Sequence, residues 1–355
     1  MIIIRFTSGL GNQMFQYNFY RLMKEHYKEV PVKVDLTWFY ANDDHHGYEL
    51  QRIFGSVKDS LFFIEEASKG ELFRVTGLIP NLKQPSDMMT GAKGDGRASV
   101  DENALNCAGR YGKYKRRSSE CFEHFRRYPN RILREFTQKK RAPYVIDQLA
   151  EGLHNFDDPG SENDLYEKIM NLDTSKDWYI KGFWIDENYT IGRENFIHDH
   201  FRFPEISDEV NIKYLDEIRN SNSVSIHVRR GDYLSDIYRN SFISLGRGYY
   251  EGAVNYITGK VKDPVFFIFS DDPDFVKREF SWLKNKQIVT GNDGEKAFRD
   301  MQLMSLCRHN IIANSTFSQW GALLNRNEGH ITVYPKAYLK DEDNEVKNAA
   351  GWVRI

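Results

Sequence analysis

The second half of the chain alternates helical patterns with short apolar runs, and this alternation constrains the fold more than any other feature. Short continuous apolar runs between helices are typical of strands buried on both faces of a parallel sheet. The sequence therefore predicts an α/β fold with a doubly wound parallel sheet. The predicted helix and strand pairs are 208–220 with 224–228, 249–258 with 265–270, 273–280 with 287–290, 297–307 with 310–313, and 317–325 with 331–334.

The N-terminal half has the same character with wider spacing. Residues 2–4 predict a strand, a glycine turn follows, and a helical pattern begins at Gln13. A further strand is expected at 30–36, and a strand with an aromatic-rich exit at 177–189. Helical patterns are expected at 122–136 and 144–153. We therefore expect an α/β domain over 1–205, with a basic and helical insertion at about 80–145, and a second, Rossmann-like domain over 206–355.

Composition indicates an ordinary globular protein that works in a reducing compartment. The 355 residues are 40% hydrophobic and 28% charged, which is ample for two cores. The three cysteines have no pattern, so neither a disulfide framework nor a zinc site is expected. The N-terminal aliphatic run is too short for a signal peptide, and no segment reaches membrane-spanning length. We therefore expect a cytoplasmic protein, with no nucleic acid partner.

One region departs strongly from the net charge of −2. Residues 110–141 contain twelve Lys or Arg against three Glu, interleaved with aromatic and aliphatic side chains. Such a basic amphipathic region can rest on anionic lipid headgroups at the inner face of a membrane, gather an acidic acceptor, or be a solvated helix face. These interpretations stay open.

Polar side chains follow three of the predicted strands at their carboxyl ends. Arg229 and Arg230 follow 224–228, Asp271 and Asp272 follow 265–270, and the helix start at 315–317 follows 310–313. Parallel strands bring these ends to one edge, where ligands of open α/β sheets bind. Guanidinium groups and a helix start both favour phosphate, so a diphosphate is the expected ligand.

Structural alternatives exist for each of these groups. The arginines can form ion pairs with the neighbouring carboxylates, an aspartate can cap the helix that begins at Pro273, and Ser315 or Thr316 can be a plain N-cap. Two sequence features have the composition of a metal-binding site. They are the loop with Asp43, Asp44, His45 and His46, and the spacing Asp272-x-Asp274. Adjacent loop residues chelate poorly, and a proline-initiated helix favours capping, so no metal or cofactor is expected.

Four motifs, taken together, resemble the α-1,2-fucosyltransferases of the bacterial and animal blood-group type. They are SGLGNQMFQY at 8–17, HVRRGDY at 227–233, FSDDPDF at 269–275 and NSTFSQWGALL at 314–324. The resemblance implies a GT-B architecture, with two Rossmann-like domains and the active cleft between them. It also implies GDP-L-fucose as donor substrate, a galactose-terminated acceptor, inversion at the anomeric carbon and no required metal.

The resemblance also implies roles for individual residues. Arg229 would contact the β-phosphate, His227 would lie on the guanosine side, and Arg230 would support the turn. Asp271 or Asp272 would recognise guanine, while Ser315, Thr316 and Phe317 would line the pyrophosphate and fucose. Gly9, Gly11 and Asn12 would face the donor from across the cleft. Asn18 and the segment 182–189 depart from the usual family pattern, and the second departure lies toward the acceptor.

The general base is the least determined role. An inverting transfer to a hydroxyl benefits from a nearby carboxylate. Asp35 is the first candidate because it ends a strand of the acceptor-side domain, and a structural role for Asp35 is the alternative. Two other functions remain open: a different nucleotide-sugar glycosyltransferase on the same scaffold, and a non-catalytic module that binds a sugar nucleotide or a polyanion.

Overall fold

A computed structural model of the protein describes residues 1–41, 46–76, 144–148, 159–231, 242–338 and 351–355. The chain divides into two units, each of which carries its own sheet. The first unit comprises Met1–Gly9, Phe15–Tyr48 and Phe63–Trp184, and the second comprises Leu10–Met14, Glu49–Phe62 and Ile185–Ile355. Several predicted features fall outside the described residues: the basic region 110–141, the helical pattern 122–136, most of the insertion, and Asp43, Asp44 and His45.

The sheet of the first unit has four parallel strands in the order β2-β1-β4-β3. Ile2, Ile3 and Ile4 of the central strand are almost fully buried, which explains why this strand is uniformly aliphatic. The strands are β1 (Ile2–Arg5), β2 (Val32–Asp35), β3 (Tyr144–Asp147) and β4 (Trp178–Lys181). The helices are α1 (Leu10–His26), whose first turn groups with the second unit, α2 (Thr37–Ala41), α3 (Lys69–Thr76) and α4 (Pro159–Met170).

The second unit contains a parallel sheet of six strands in the order β10-β9-β8-β5-β6-β7. Its strands are β5 (Asn222–Val228), β6 (Pro264–Ser270), β7 (Lys286–Ile288), β8 (His309–Ile311), β9 (Thr332–Tyr334) and β10 (Val353–Arg354). Its helices are α5 (Glu194–His200), α6 (Glu209–Arg219), α7 (Arg247–Thr258), α8 (Pro273–Glu279), α9 (Phe298–Leu306) and α10 (Thr316–Leu323). A π-helical turn (Gln51–Gly55) and two 3₁₀ turns (Glu187–Tyr189 and Gly294–Lys296) complete the unit.

Helices cover both faces of this sheet, as β6 illustrates. Phe266 and Ile268 pack into a cluster with side chains of α7 and α8. Phe267 and Phe269 point to the opposite face and pack with side chains of α6 and α9. Each fully buried side chain of this size contributes about 1.5–3 kcal/mol through removal from water. The predicted α/β class with parallel sheets is therefore confirmed, and every predicted element of 208–334 is present within about three residues of its expected bounds.

Two predictions in the N-terminal half were wrong in detail. Residues 144–147 form a strand that pairs with β4, because a short apolar run does not distinguish a strand from a buried helix. The strand with an aromatic-rich exit expected at 177–189 is present as β4, which ends at Lys181, and Trp184 in the exit has a left-handed backbone (φ +59°). Helix α1 begins at Leu10 rather than Gln13, so the glycine turn is shorter than expected.

The division between the units differs from the predicted boundary at residues 205 and 206. Residues from Ile185 onward group with the second unit. The contacts of Phe201 agree with this grouping: its ring lies 4.8 Å from that of Trp320 and 5.2 Å from that of Phe54, both in the second unit. Among the helices of the described residues, none combines the length and the apolar character needed to cross a membrane.

Candidate active site

Three neighbouring strands place the predicted site residues at one edge of the second sheet. In the parallel register, Val228 of β5 lies opposite Ser270 of β6, and Ile226 lies opposite Ile311 of β8. The chain leaves β5 through Arg229, β6 through Asp271, and β8 through the turn before α10. The edge formed by these three strand ends is called the donor edge below.

Asp271 binds the turn formed by Arg229, Arg230 and Gly231, which is called the arginine turn. Its Oδ1 accepts a hydrogen bond from the backbone N–H of Arg230 at 2.9 Å, and its Oδ2 accepts from that of Gly231 at 3.0 Å. The same Oδ2 lies 3.0 Å from Nη1 of Arg229, and both side chains are a quarter exposed. The predicted ion pair is therefore present, and it fixes the Arg229 guanidinium beside the donor edge.

Asp272 and Arg230 form a second, separate pair. Oδ1 of Asp272 caps α8 by accepting from the backbone N–H of Phe275 at 3.0 Å, and its Oδ2 lies 3.3 Å from Nε of Arg230. The Arg230 guanidinium also lies 3.7 Å from the centre of the Phe275 ring. The capping alternative is thus realised at Asp272, while Asp274 pairs with Lys277 at 2.9 Å on the exposed side of α8.

His227 is buried, with 5% of its surface exposed. Burial, together with the charge of Arg229, lowers the pKa of its imidazole to about 3, so the ring is neutral at physiological pH. Within the described part of the chain, no hydrogen-bond partner contacts its Nδ1. The ring lies 5.7 Å from that of Phe317, and so a neutral imidazole nitrogen lies beside the start of α10.

The start of α10 is not capped by its own side chain. Ser315 is the N-cap residue and has extended backbone, yet its side chain makes no capping hydrogen bond in the described structure. The hydroxyl of Ser318 instead accepts from the backbone N–H of Ala313 at 3.2 Å. The plain N-cap alternative is therefore wrong, and the first-turn N–H groups of α10 can serve a ligand.

The first turn of α1 lies directly against the first turn of α10. A Cβ atom on Gly11 would lie 2.6 Å from the carbonyl carbon of Thr316 and 2.8 Å from the backbone nitrogen of Phe317. The indole N–H of Trp320 donates to the Gly11 carbonyl at 2.8 Å. Two helix starts therefore lie side by side, and their combined partial positive charge favours an anion.

This packing gives Gly11 a structural role. Its close approach to the chain's own backbone at Thr316 and Phe317 requires glycine. Asn12, the next residue, is half-buried, and its Oδ1 has no hydrogen-bond partner among the described residues. Gly9, which belongs to the first unit, is the N-cap of α1, and the left-handed residue of the turn is Ser8 (φ +67°).

Comparison with known proteins identifies the family. The model of glycosyl transferase family 11 matches residues 154–355, which is more than half of the chain. The chain belongs to glycosyl transferase family 11. The resemblance to α-1,2-fucosyltransferases is therefore confirmed at the level of the family.

Relatives from bacteria and animals match parts of this family 11 chain. The O-antigen biosynthesis glycosyltransferase WbnK of Escherichia coli is 36% identical over 38% of this chain and 45% of its own length. An α-1,2-colitosyltransferase of Escherichia coli is 34% identical over 55% of this chain and 68% of its own length. The galactoside α-(1,2)-fucosyltransferase 1 of Sus scrofa is 28% identical over 46% of this chain and 47% of its own length. The matched part is thus less than half of WbnK and of the Sus scrofa enzyme.

Solved structures of fucosyltransferases also align with the family 11 chain. The fucosyltransferase NodZ from Bradyrhizobium aligns with 91% of each chain, at 12% identity and a TM-score of 0.44.

Asp35, the candidate base, is held by its own unit. Only 3% of its surface is exposed. Its Oδ1 accepts from the backbone N–H of Thr37 at 2.8 Å, and its Oδ2 accepts from the hydroxyl of Tyr179 at 2.5 Å. Hydrogen bonds of this kind to a buried carboxylate favour the structural alternative for Asp35.

Sequence reasoning missed two carboxyl groups of raised pKa in the second unit, the buried Glu49 and the half-buried Asp300. Burial raises the pKa of Asp300 in α9 to about 7, while its Oδ1 accepts from Nδ2 of Asn292 at 2.7 Å. Burial likewise raises the pKa of Glu49 to about 7. The positive charge of Arg52, whose Nη2 lies 2.9 Å from Oε1 of Glu49, opposes this rise only in part. Asn292 follows β7, so the Asp300 network lies at the same edge as the other strand ends. Neither residue belongs to a motif, and only the fold reveals its burial.

Proposed function

We propose that the chain transfers L-fucose from GDP-L-fucose to the 2-hydroxyl of a terminal galactoside in an oligosaccharide or glycan. The transfer would invert the anomeric carbon and need no metal. The arrangement at the donor edge carries the proposal, because Arg229, the imidazole of His227 and the uncapped start of α10 lie together there. Membership in family 11, and relatives named for α-1,2 transfer, support the linkage.

The chemistry is a single displacement at C1 of fucose. The oxygen of the acceptor hydroxyl forms a bond to C1 while the bond from C1 to the β-phosphate oxygen breaks, so GDP leaves with the electron pair. Negative charge grows on the diphosphate in the transition state. Arg229 and the first-turn N–H groups of α10 would stabilise that charge, and each preorganised donor contributes about 3–4 kcal/mol by analogy with oxyanion sites.

Asp271 would keep this arrangement ready before the donor arrives. Its carboxylate orients the Arg229 guanidinium and two backbone N–H groups of the turn, so the donor does not have to order them on binding. In this role Asp271 acts through the arginine turn. Recognition of guanine by Asp271 or Asp272 would use lone pairs beyond the hydrogen bonds described above.

The proton of the acceptor hydroxyl has to pass to a base. Asp35 is the proposal made from the sequence, and it would accept this proton on a lone pair that the hydrogen bonds from Thr37 and Tyr179 do not use. Exchange of Asp35 for Asn tests the assignment. Loss of turnover with unchanged thermal stability supports a base, whereas parallel loss of both supports the structural role.

Transfer assays with analysis of the product test the proposed function directly. Purified protein is incubated with GDP-L-fucose and a panel of galactose-terminated oligosaccharides, in buffer with EDTA, and the new linkage is determined by NMR. We expect an α-1,2-linked fucose on galactose. A different linkage, a different acceptor sugar or a requirement for added metal would contradict the corresponding part of the proposal.

Transfer of colitose is a second candidate. The α-1,2-colitosyltransferase is more similar to this chain than the Sus scrofa fucosyltransferase, in identity and in the share of the chain that is matched. Parallel assays with GDP-L-fucose and GDP-colitose as donors separate the two, since the preferred donor has the higher kcat/KM. Binding of both donors without turnover on any acceptor would instead favour the non-catalytic alternative.

A cytoplasmic location with contact to a membrane surface through residues 110–141 is also a proposal. The local excess of nine positive charges supports it. Co-sedimentation with anionic and neutral vesicles at low and high salt tests it, and equal sedimentation with both vesicle types would contradict it.

A further inference from the structure

Asn314, the residue before the uncapped start of α10, ties together three segments of the second unit. Only 3% of its surface is exposed. The side-chain amide donates to the carbonyl of Ile243 at 2.8 Å and to the carbonyl of Tyr338 at 3.0 Å. The backbone N–H of Ile243 donates to the same Tyr338 carbonyl at 3.1 Å. One amide group thus holds the turn before α10 against two chain segments that are remote in sequence.

Tyr338 is held a second time by α10. The side-chain amide of Gln319, which is 2% exposed, donates to the Tyr338 hydroxyl at 2.9 Å. Asn314 binds the main chain of Tyr338 and Gln319 binds its side chain, so the two contacts fix both ends of this residue. Together Asn314, Gln319 and Tyr338 form a polar clamp along the first turn of α10.

The clamp has a chemical requirement that is specific to Asn314. A carboxamide nitrogen carries two N–H donors, and both are directed at backbone carbonyls. An ionised aspartate of the same shape has no donor and would place negative charge against both carbonyl oxygens. The backbone carrying the first-turn N–H groups of Thr316 and Phe317 would then lose the contact that fixes its direction.

We infer that Asn314 is a positioning residue for the donor: it aims the start of α10 at the diphosphate by binding Ile243 and Tyr338. The inference rests on the proposed function. It assigns to Asn314, Gln319 and Tyr338 a role in donor affinity although none of them has to touch the donor. Small errors in the direction of preorganised N–H groups weaken the stabilisation of the diphosphate charge.

The chain offers a matched control at the other end of the same helix. Asn325 is also buried, with 5% of its surface exposed, and its amide donates to the carbonyl of Cys307 at 2.9 Å and to Oδ1 of Asn310 at 2.7 Å. It lies beyond the C-terminal end of α10, about 12 Å along the axis from the helix start. Asn325→Asp therefore removes comparable hydrogen bonds without disturbing the first turn.

The experiment compares Asn314→Asp, Asn325→Asp and the unaltered protein. GDP affinity is measured by calorimetry, Tm by thermal unfolding, and KM and kcat by transfer from GDP-L-fucose. We expect Asn314→Asp to weaken GDP binding about tenfold or more, with a similar rise in the donor KM, as loss of well-aimed donors implies. Asn325→Asp should lower Tm while GDP affinity stays within about twofold.

Equal GDP affinity in Asn314→Asp and the unaltered protein would overturn the inference, and so would equal losses of affinity in the two variants. If Asn314→Asp does not fold, Tyr338→Phe takes its place, because it removes the hydrogen bond from Gln319 and keeps the Tyr338 carbonyl that Asn314 binds. About threefold weaker GDP binding is then expected, and unchanged binding would overturn the inference. If the unaltered protein does not bind GDP, the proposed function is refuted together with the inference. If the unaltered protein and the Asn314→Asp variant bind GDP equally well, only the inference is refuted.

Discussion

Individual residues at the donor edge serve two purposes at once. Asp271 neutralises Arg229 while its hydrogen bonds shape the turn, and Asp272 caps α8 while it contacts Arg230. The residue types were evident from the sequence, because acidic and basic groups followed neighbouring strands. The separate roles of Asp271 and Asp272 were not evident, because they depend on which carboxylate oxygen accepts from which N–H group. The same limit applies to Asp35, where only coordinates reveal the bond from Tyr179.

Exchange of Arg229 for Lys tests the role of the guanidinium. Lysine keeps the positive charge but loses the planar fork that matches a phosphate, so transition-state stabilisation should fall. We expect kcat to decrease about 100-fold or more while Tm changes little, because the ion pair with Asp271 is partly exposed.

Arg247→Lys is the matched control for this exchange. Arg247 forms a comparable ion pair with Glu251 at 2.7 Å on the exposed face of α7. Its kinetic constants should equal those of the unaltered protein. Equal kcat in the Arg229→Lys and Arg247→Lys variants would remove Arg229 from the proposed mechanism.

Asp300 predicts a distinctive dependence of stability on pH. Its pKa of about 7 in the folded protein lies above the value of about 3.9 expected for an unfolded chain. Between these values the folded state binds the additional proton, so the contribution of Asp300 to stability is present below pH 4 and is lost as the pH rises through 7. Asp300→Asn removes this loss and can still accept from Asn292.

Denaturant unfolding at pH 5 and pH 8 measures this effect. The free energy of unfolding of Asp300→Asn, relative to the unaltered protein, should be more favourable at pH 8 than at pH 5. The exchange removes a decrease in the free energy of unfolding of up to about 1.4 kcal/mol per pH unit. A difference that is independent of pH would show that the folded pKa of Asp300 is not raised.

At the scale of elements, the donor edge depends on how helix starts pack. The starts of α1 and α10 lie against each other through Gly11, and Trp320 fastens one to the other. The sequence indicated a glycine at a helix start, yet its partner was 305 residues away in the chain and was invisible to any local pattern. Periodicity correctly predicted the helices and strands of 208–334, where both faces of each strand are buried. It mistook residues 144–147 for a helix, because a run this short carries no period.

Gly11→Ala tests the packing of the two helix starts. The added methyl group would lie within 2.8 Å of three atoms of Thr316 and Phe317, so at least one helix start has to move. We expect a loss of about 1–3 kcal/mol in the free energy of unfolding, together with weaker GDP binding.

The control for Gly11→Ala is Gly70→Ala in α3, where a new Cβ meets nothing within 4 Å. An alanine at this helical position should stabilise the protein by about 0.5–1 kcal/mol and leave GDP binding unchanged. If both variants bind GDP as the unaltered protein does, the contact of the helix starts has no part in the donor site.

At the scale of the whole molecule, the chain consists of two α/β units with parallel sheets, and it belongs to glycosyl transferase family 11. The fold class followed from the alternation of helices and strands, and the family followed from four motifs in order. The division at residue 185 did not follow from the sequence, because contacts between residues remote in the chain, such as that of Phe201 with Trp320, leave no trace in local composition. The sequence motifs also do not predict the identity of the acceptor, because acceptor recognition depends on the shape of a surface rather than on a phosphate-binding motif.

Calorimetric titration with GDP tests the central claim, that the donor edge of the second sheet binds a nucleoside diphosphate through Arg229 and the start of α10. We predict saturable binding of one GDP per chain, weaker binding of UDP and ADP, and at least tenfold weaker binding of GDP by Arg229→Ala. Absence of heat with GDP, or equal affinity of the Arg229→Ala variant and the unaltered protein, would contradict the account.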